Sequence, residues 1–236
     1  MLLHRISRTV MIAGLVLLAA VAAAHLITAR SADATQVAMA DEWAQLGAAT
    51  SQTVTDGSGR RTDAAPAAAG EPIAPLDDAA ALARVEVRRP GAGPLLDGPF
   101  YVGEGIAQAQ IDRGPSHYPA SALPGHDGNF AVAGHRTMHG APFGDLDEVR
   151  HGDEVLVTDR AGRQFLYRVA EQRIVSPTDT WVVDPDPLGR GTPTLTFTTC
   201  HPRYSARQRL VVWAELVPHG APDEGQAQPM PVGAGM

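Results

Sequence analysis

The stretch Thr194-Leu-Thr-Phe-Thr-Thr-Cys200, followed after a short break by Arg207-Gln-Arg-Leu-Val-Val-Trp-Ala-Glu215, decides the fold. In the first segment β-branched and aromatic residues fall in period-two alternation, and the second is equally rich in strand formers, so both read as β-strands. His201 to Ala206, with Pro202 inside it, predicts a hairpin connection. Successive side chains of a strand point to opposite faces. Leu195 and Phe197 therefore share a face that can join Leu210, Val212 and Ala214 in a core. The other face carries Thr194, Thr196, Thr198 and Cys200, opposite Arg207, Arg209, Val211 and Trp213. With the hairpin closing near Cys200 and Arg207, Arg209 becomes a diagonal neighbour of Cys200, about 7–8 Å away at the backbone. A thiol and a guanidinium on one rigid face suit a nucleophile and a partner for a developing oxyanion.

Upstream of this hairpin the same texture continues. Leu82–Arg89, Phe100–Val102, Asn129–Gly134, Glu154–Thr158 and Gln164–Val175 read as strands, with turns at Arg89-Pro-Gly91 and Asp159-Arg-Ala-Gly162. Glu104–Ile111 and Pro142–Val149 read as short helical pieces. The Pro/Asp/Gly-rich segment 176–193 is long for a connection inside a compact domain, which marks it as functional or disordered. Seven or eight short strands and few helices over residues 81–218 suggest a mostly-β barrel or sandwich. No internal repeat is visible.

The first eighty residues differ. After His4, Arg5 and Arg8, the run Thr9–Ala29 carries no acid and no arginine. It is long enough for a hydrocarbon core of ~30 Å. Residues 1–30 therefore read as a short stub and a transmembrane anchor, with the flanking charges directing the body of the chain outward. The rival reading is a cleaved signal peptide, since Ala22-Ala-Ala24 and Ala32-Asp-Ala34 resemble cleavage sites. Residues 31–80 hold eight acids against Arg60 and Arg61 and little to bury besides Trp43 and Leu46. They read as a disordered extracellular linker, with a short helix possible near Ala40–Ala48. Residues 219–236 read as a disordered tail.

The net charge of −7 is unevenly spread, with most of it in residues 31–80: residues 81–218 carry sixteen acids against fourteen arginines and are near neutral. No basic stripe supports nucleic-acid binding. Every basic residue is arginine, so lysine chemistry is excluded.

Cys200 is the only cysteine, and an internal disulfide is impossible. Its bland reading is a small buried hydrophobe. Its place at a strand end, on the threonine face, favours a reactive thiol, which then needs a base or a nearby positive charge. His201 follows directly and alternation sends it to the other face. His139 lies in a glycine-flanked loop. His135 ends a buried strand after Gly134, a position that holds a ring rigidly. His135-x-x-x-His139 also has metal-ligand spacing, but without a helical pattern or a clear third ligand no metal and no cofactor are expected. Arg209 has the alternative role of an ion-paired surface residue.

At these residues the sequence resembles the sortases, membrane-anchored cysteine transpeptidases of Gram-positive bacteria. Their signature is a T-L-x-T-C-type strand, an arginine on the next strand and a histidine far upstream. Thr194–Cys200, slightly expanded, Arg209 before Leu-Val-Val, and His135 in Ala-Val-Ala-Gly-His-Arg136 match these parts. Cys200–Arg209, Gly114-Pro-Ser-His-Tyr-Pro119 and His135-Arg-Thr-Met-His-Gly140 resemble the actinobacterial class E branch in particular. Ser116 and Ala120 depart from it, standing where glycines are common.

The resemblance spans about residues 82–217 and implies an eight-stranded β-barrel with short helices. It implies that Cys200 attacks the Thr–Gly carbonyl of an LPXTG-like sorting signal, LAXTG for class E. Arg209 would stabilise the oxyanion, and His135 would protonate the leaving amine and deprotonate the incoming one. The implied partners are secreted proteins bearing the signal and an amine of lipid II or peptidoglycan. Tyr118 and Thr199 are the expected substrate contacts, and 176–193 the loop shaping the pocket. The implied location is the cell membrane, single-pass, with the catalytic domain outside. Two readings compete. An L,D-transpeptidase would have its cysteine in a Ser-x-Gly-Cys context, which is absent. An inactive, tethered wall-binding protein of the same fold is the other.

Overall fold

The computed structural model describes residues 2–53 and 80–218. Nine strands form the domain: β1 (Ala83–Arg89), β2 (Gly93–Pro94), β3 (Phe100–Glu104), β4 (Ser116–His117), β5 (Asn129–Ala133), β6 (Glu154–Asp159), β7 (Gln164–Val175), β8 (Thr194–His201) and β9 (Gln208–Leu216). Eight of them run β1-β3-β4-β5-β8-β9-β7-β6, and antiparallel pairing of β1 with β6 closes the ring, while β2 extends β1 outside it. Closure leaves the ring with no free edge, which removes the usual route to edge-to-edge association.

The core follows the sequence alternation. Leu195 and Phe197 of β8 and Leu210, Val212 and Ala214 of β9 all face inward. They meet Val85, Val102, Val132, Val155 and Val157 from the other walls. Phe100, Phe143 and Phe197 form an edge-to-face and tilted trio with centroids 5.0–6.1 Å apart. Such pairs add to the area they bury. The helical pieces are smaller than the sequence predicts. Only Gln108–Ile111 is α-helical (α2), and Pro142–Val149 contains one 3-10 turn at Leu146–Glu148. β2 and β4, two residues each, were too short to show a period.

The segment 176–193 is ordered against the barrel's outer wall. Trp213 and Val211 point outward, as alternation requires, and are buried beneath Val182, Val183 and Leu188. Trp181 stacks on Trp213 at 5.7 Å, and the Trp213 indole N–H donates to the Val182 carbonyl at 3.0 Å.

The amino-terminal segment corrects the expected boundary at residue 31. α1 runs unbroken over Leu2–Thr53. Its apolar part, within Val10–Gly47, is long enough to cross a membrane. The helix then continues through residues read as a spacer. The Ala-rich composition favours helix, and the face that seemed to have nothing to bury docks on the barrel. Ala32 and Met39 are buried. The Gln36 amide donates to the Tyr101 carbonyl at 3.0 Å and accepts from the Tyr101 N–H at 2.8 Å. Trp43 packs on Tyr101, and Glu42 pairs with Arg160 at 2.8 Å. Residues 54–79 of the expected linker and the tail 219–236 lie outside the described residues.

Candidate active site

The site forms where two parallel strands end together. β5 and β8 pair in parallel from Asn129↔Thr194 to Ala133↔Thr198. The Gly134 N–H extends the ladder by donating to the Thr198 carbonyl at 3.1 Å. One residue beyond, the two chains carry His135 and Cys200. Neighbouring strands lie about 4.8 Å apart, so the register alone brings the ring and the thiol to the same rim. Gly134 is required here by space: a Cβ would sit 2.6 Å from the Phe143 ring.

Across the hairpin, Cys200 pairs directly with Arg209, and His201 with Gln208. This corrects the diagonal placement. The turn occupies residues 202–207, one or two later than expected, so the register shifts and Arg209 moves opposite the thiol, where Cβ atoms are ~4.5–5.5 Å apart. The Arg209 guanidinium folds back, its Nη1 donating to the carbonyls of Ala206 at 2.9 Å and Gln208 at 3.0 Å. Among the described residues no carboxylate pairs with it, so the surface ion-pair alternative does not apply.

His135 is held by a group that the sequence did not reveal. Its Nε2–H donates to Asp112 Oδ1 at 2.8 Å. Asp112 follows α2, 23 residues upstream, and only the pairing of β4 with β5 brings the two together. His139 stacks on His135 with centroids 4.6 Å apart and 24° between planes, and its Nδ1 lies 3.6 Å from the same carboxylate oxygen. Burial pushes the Asp112 carboxyl up, but hydrogen bonds from His135 and Gln108, with the charge of the two imidazoles, outweigh it and hold the group below the usual range. Burial lowers the His139 imidazole against the opposing pull of Asp112, and the charge of His135 lowers it further. His139 itself has left-handed backbone, φ 51°, uncommon outside glycine.

Arg136 is the second residue the sequence reading missed. It is 3% exposed, and its Nη1 donates to His201 Nδ1 at 2.9 Å and to the Cys200 carbonyl at 3.4 Å. Its Nη2 pairs with Asp147 at 2.8 Å. His201 is therefore an acceptor at Nδ1, engaged with Arg136 on the side of the strand away from Cys200. An arginine directly after a candidate histidine was visible in the sequence; that it crosses to the neighbouring strand was not.

Tyr118 is half-buried, and its hydroxyl hydrogen-bonds Thr198 Oγ1 at 2.9 Å, on the Cys200 face of β8. Thr199 lies elsewhere. It is 3% exposed, and its hydroxyl donates to the Gly134 carbonyl at 2.8 Å. That corrects the expected substrate contact: alternation sends Thr199 inward, where it fastens β8 to the end of β5. His117 beside Tyr118 is a satisfied structural histidine, bonded to Glu104 at 2.8 Å and stacked on Phe130.

A closed eight-stranded barrel with a lone thiol, an imidazole and a guanidinium at one rim defines a narrow class of protein. The Sortase domain family matches residues 94–217, and the chain belongs to the sortase family. It is 34% identical to Sortase SrtE1 of Streptomyces coelicolor over 136 residues, which is 52% of this chain and 38% of that protein. The chain thus spans well under half the length of that relative. Among solved structures, it is similar to sortase E from Streptomyces avermitilis, with 38% identity and a TM-score of 0.50 over 58% of this chain and 88% of the other. It is also similar to the SrtF sortase from Corynebacterium diphtheriae, with 28% identity and a TM-score of 0.54 over 63% and 89%.

Proposed function

We propose that this chain is a class E-type sortase: a cysteine transpeptidase that cleaves an LAXTG/LPXTG-like signal between Thr and Gly and joins the Thr carboxyl to a cell-wall precursor amine. The observation that carries the reading is the strand register, in which His135 follows the end of β5 beside Cys200 while Arg209 faces Cys200 across the β8–β9 hairpin.

The Cys200 thiolate attacks the Thr carbonyl carbon. Arg209 keeps Nε and Nη2 for the oxyanion, where preorganised donors are worth most. His135, with Nε2–H committed to Asp112, trades protons through Nδ1. It protonates the leaving glycine amine, and a thioester remains on Cys200. The incoming amine attacks that thioester after His135 takes its proton, and the thiolate leaves. Asp112 acts through His135 by fixing its tautomer and supporting the imidazolium. Tyr118, bonded to Thr198, and the segment 176–193, packed over the outward Val211 and Trp213 of β9, both lie on the thiol's side of the hairpin and are placed to meet the signal. α1 anchors the chain with the barrel outside the membrane, where the signal-bearing proteins and a lipid II or peptidoglycan amine are available.

The test is turnover of LAXTG and LPXTG peptides with a diaminopimelate-type amine. Cleavage after Thr with amine-dependent ligated product supports the reading. Binding of wall polymer without cleavage of either peptide would favour the inactive, wall-binding alternative.

A further inference from the structure

The sequence offered two imidazoles four residues apart and no third ligand. The fold supplies the third. Asp112, His135 and His139 each present one ligand atom within 4.8 Å of the others. Asp112 Oδ1 is 2.8 Å from His135 Nε2 and 3.6 Å from His139 Nδ1. Four-coordinate zinc with bonds of 2.0–2.1 Å holds its ligand atoms about 3.3 Å apart. The two spacings to the Asp112 oxygen bracket that value, and the ligand atoms of the two imidazoles lie within 4.8 Å of one another.

His139 gives the second observation. Its Nδ1 is buried and has no hydrogen-bond partner among the described residues, although the Asp112 oxygen lies just beyond bonding range. Buried polar atoms left unsatisfied are rare, and an ion is one of the standard reasons for them. Rotation about χ2, a broad torsion for histidine, is the freedom by which the His139 ring can bring its Nδ1 to bear beside the Asp112 oxygen 3.6 Å away. Imidazole and carboxylate together suit zinc and its neighbours in the transition series rather than calcium or magnesium.

We propose that Asp112, His135 and His139 bind a divalent transition-metal cation of the zinc class, with an open fourth position for water, and that its binding switches the enzyme off. The cation takes Nε2 of His135 in place of the proton now shared with Asp112. The ring then holds a single proton, on Nδ1, and cannot accept a second one from the thiol or from the incoming amine. Metal and acid–base chemistry thus compete for one residue. The switch rests on the transpeptidase reading; the metal site does not.

The test uses the untagged full-length chain in detergent, stripped of metal. Zn2+ binding is followed by titration calorimetry and Co2+ binding by visible absorption. The expected result is one equivalent bound, with a four-coordinate Co2+ spectrum lacking a thiolate charge-transfer band. Binding persists in Cys200→Ala. It weakens by about 10–100-fold or more in Asp112→Asn and in His139→Gln, on the scale of losing a partner in a metal site. Two conservative variants are used so that a fold defect in one, read as a lowered melting temperature, leaves the other decisive. Undiminished binding in both, or binding abolished by Cys200→Ala, overturns the site. For the switch, Zn2+ should suppress peptide turnover reversibly, with activity restored by chelator. A chain that binds Zn2+ at this cluster and turns over undiminished overturns the switch. A metal-free chain that binds Zn2+ but cleaves neither peptide leaves the site standing and overturns the transpeptidase reading and, with it, the switch.

Discussion

The ends of β5 and β8 lie side by side, yet they are held in opposite ways. At the β5 end the side chains are gripped by neighbours: Gly134 sits against Phe143, His135 is bonded to Asp112 and stacked on His139, and Arg136 is buried between Asp147 and His201. At the β8 end Cys200 leads into an exposed turn, where Tyr204 is 87% exposed with a left-handed φ of 65°. Among the described residues, the hydrogen bonds of the Arg209 guanidinium go to carbonyls of its own hairpin. Under the proposed mechanism the difference suits two tasks. Acid–base work requires a fixed tautomer before substrate arrives, whereas an oxyanion donor acts once charge develops. The carbonyls that hold Arg209 through Nη1 are neutral and leave its charge uncompensated, so a developing oxyanion beside it gains a full ion pair.

Four substitutions break this comparison in turn. The largest effect belongs to Cys200→Ala. It should abolish ligated product in the peptide assay and leave the melting temperature near that of the parent, because the side chain is only partly buried at the rim. Next comes Arg209→Ala, which should lower kcat by roughly 10²–10³, the loss on removing one oxyanion donor. Arg209→Lys recovers part of that, lacking the guanidinium fork. Arg207→Ala, in the exposed turn, should change little; a loss equal to that of Arg209→Ala would mean that the parked guanidinium is not the one that acts.

Asp112→Asn probes the other strand end. Its expected cost is up to ~10²-fold in kcat/KM, the low end of a positioned acid–base contribution. The loss should fall on kcat rather than KM, since the carboxylate orients the ring and does not touch the signal. An Asp112→Asn enzyme with unchanged kcat and a lowered melting temperature would mean Asp112 only supports the loop.

Tyr118→Phe has the smallest effect. Its hydroxyl bonds Thr198 on the thiol's face, close to where the second signal residue would lie. An Ala there keeps a backbone N–H that a Pro lacks. One hydrogen bond worth ~0.5–1.5 kcal/mol gives about a two- to twelve-fold LAXTG/LPXTG preference. Tyr118→Phe should narrow that ratio. An unchanged ratio with a lowered melting temperature would assign Tyr118 to packing.

Local patterns carried much of this in the sequence. Period-two alternation sufficed for β8 and β9, including the inward Leu195–Phe197 set and the outward Trp213, because one face of each strand must meet the core. That Cys200, His135 and Arg209 fall at neighbouring strand ends was legible because each adjoins such a strand. Asp112 was not, since its link to His135 passes through the short β4, whose two residues leave no period. The exact turn length was equally hidden, and with it the direct Cys200–Arg209 pairing. The docking of α1 escaped because Ala32, Gln36, Met39 and Trp43 form a sparse face that only the barrel surface gives meaning.

The central claim is that Cys200 carries the acyl group. Incubating the chain with LAXTG peptide and no acceptor amine, quenching in acid and mapping the products by mass spectrometry measures it directly. The account predicts the peptide, ending at its Thr, joined to the Cys200-containing fragment and released on adding amine. Continued cleavage after Thr with no adduct on Cys200, or with the adduct on another residue, would contradict it.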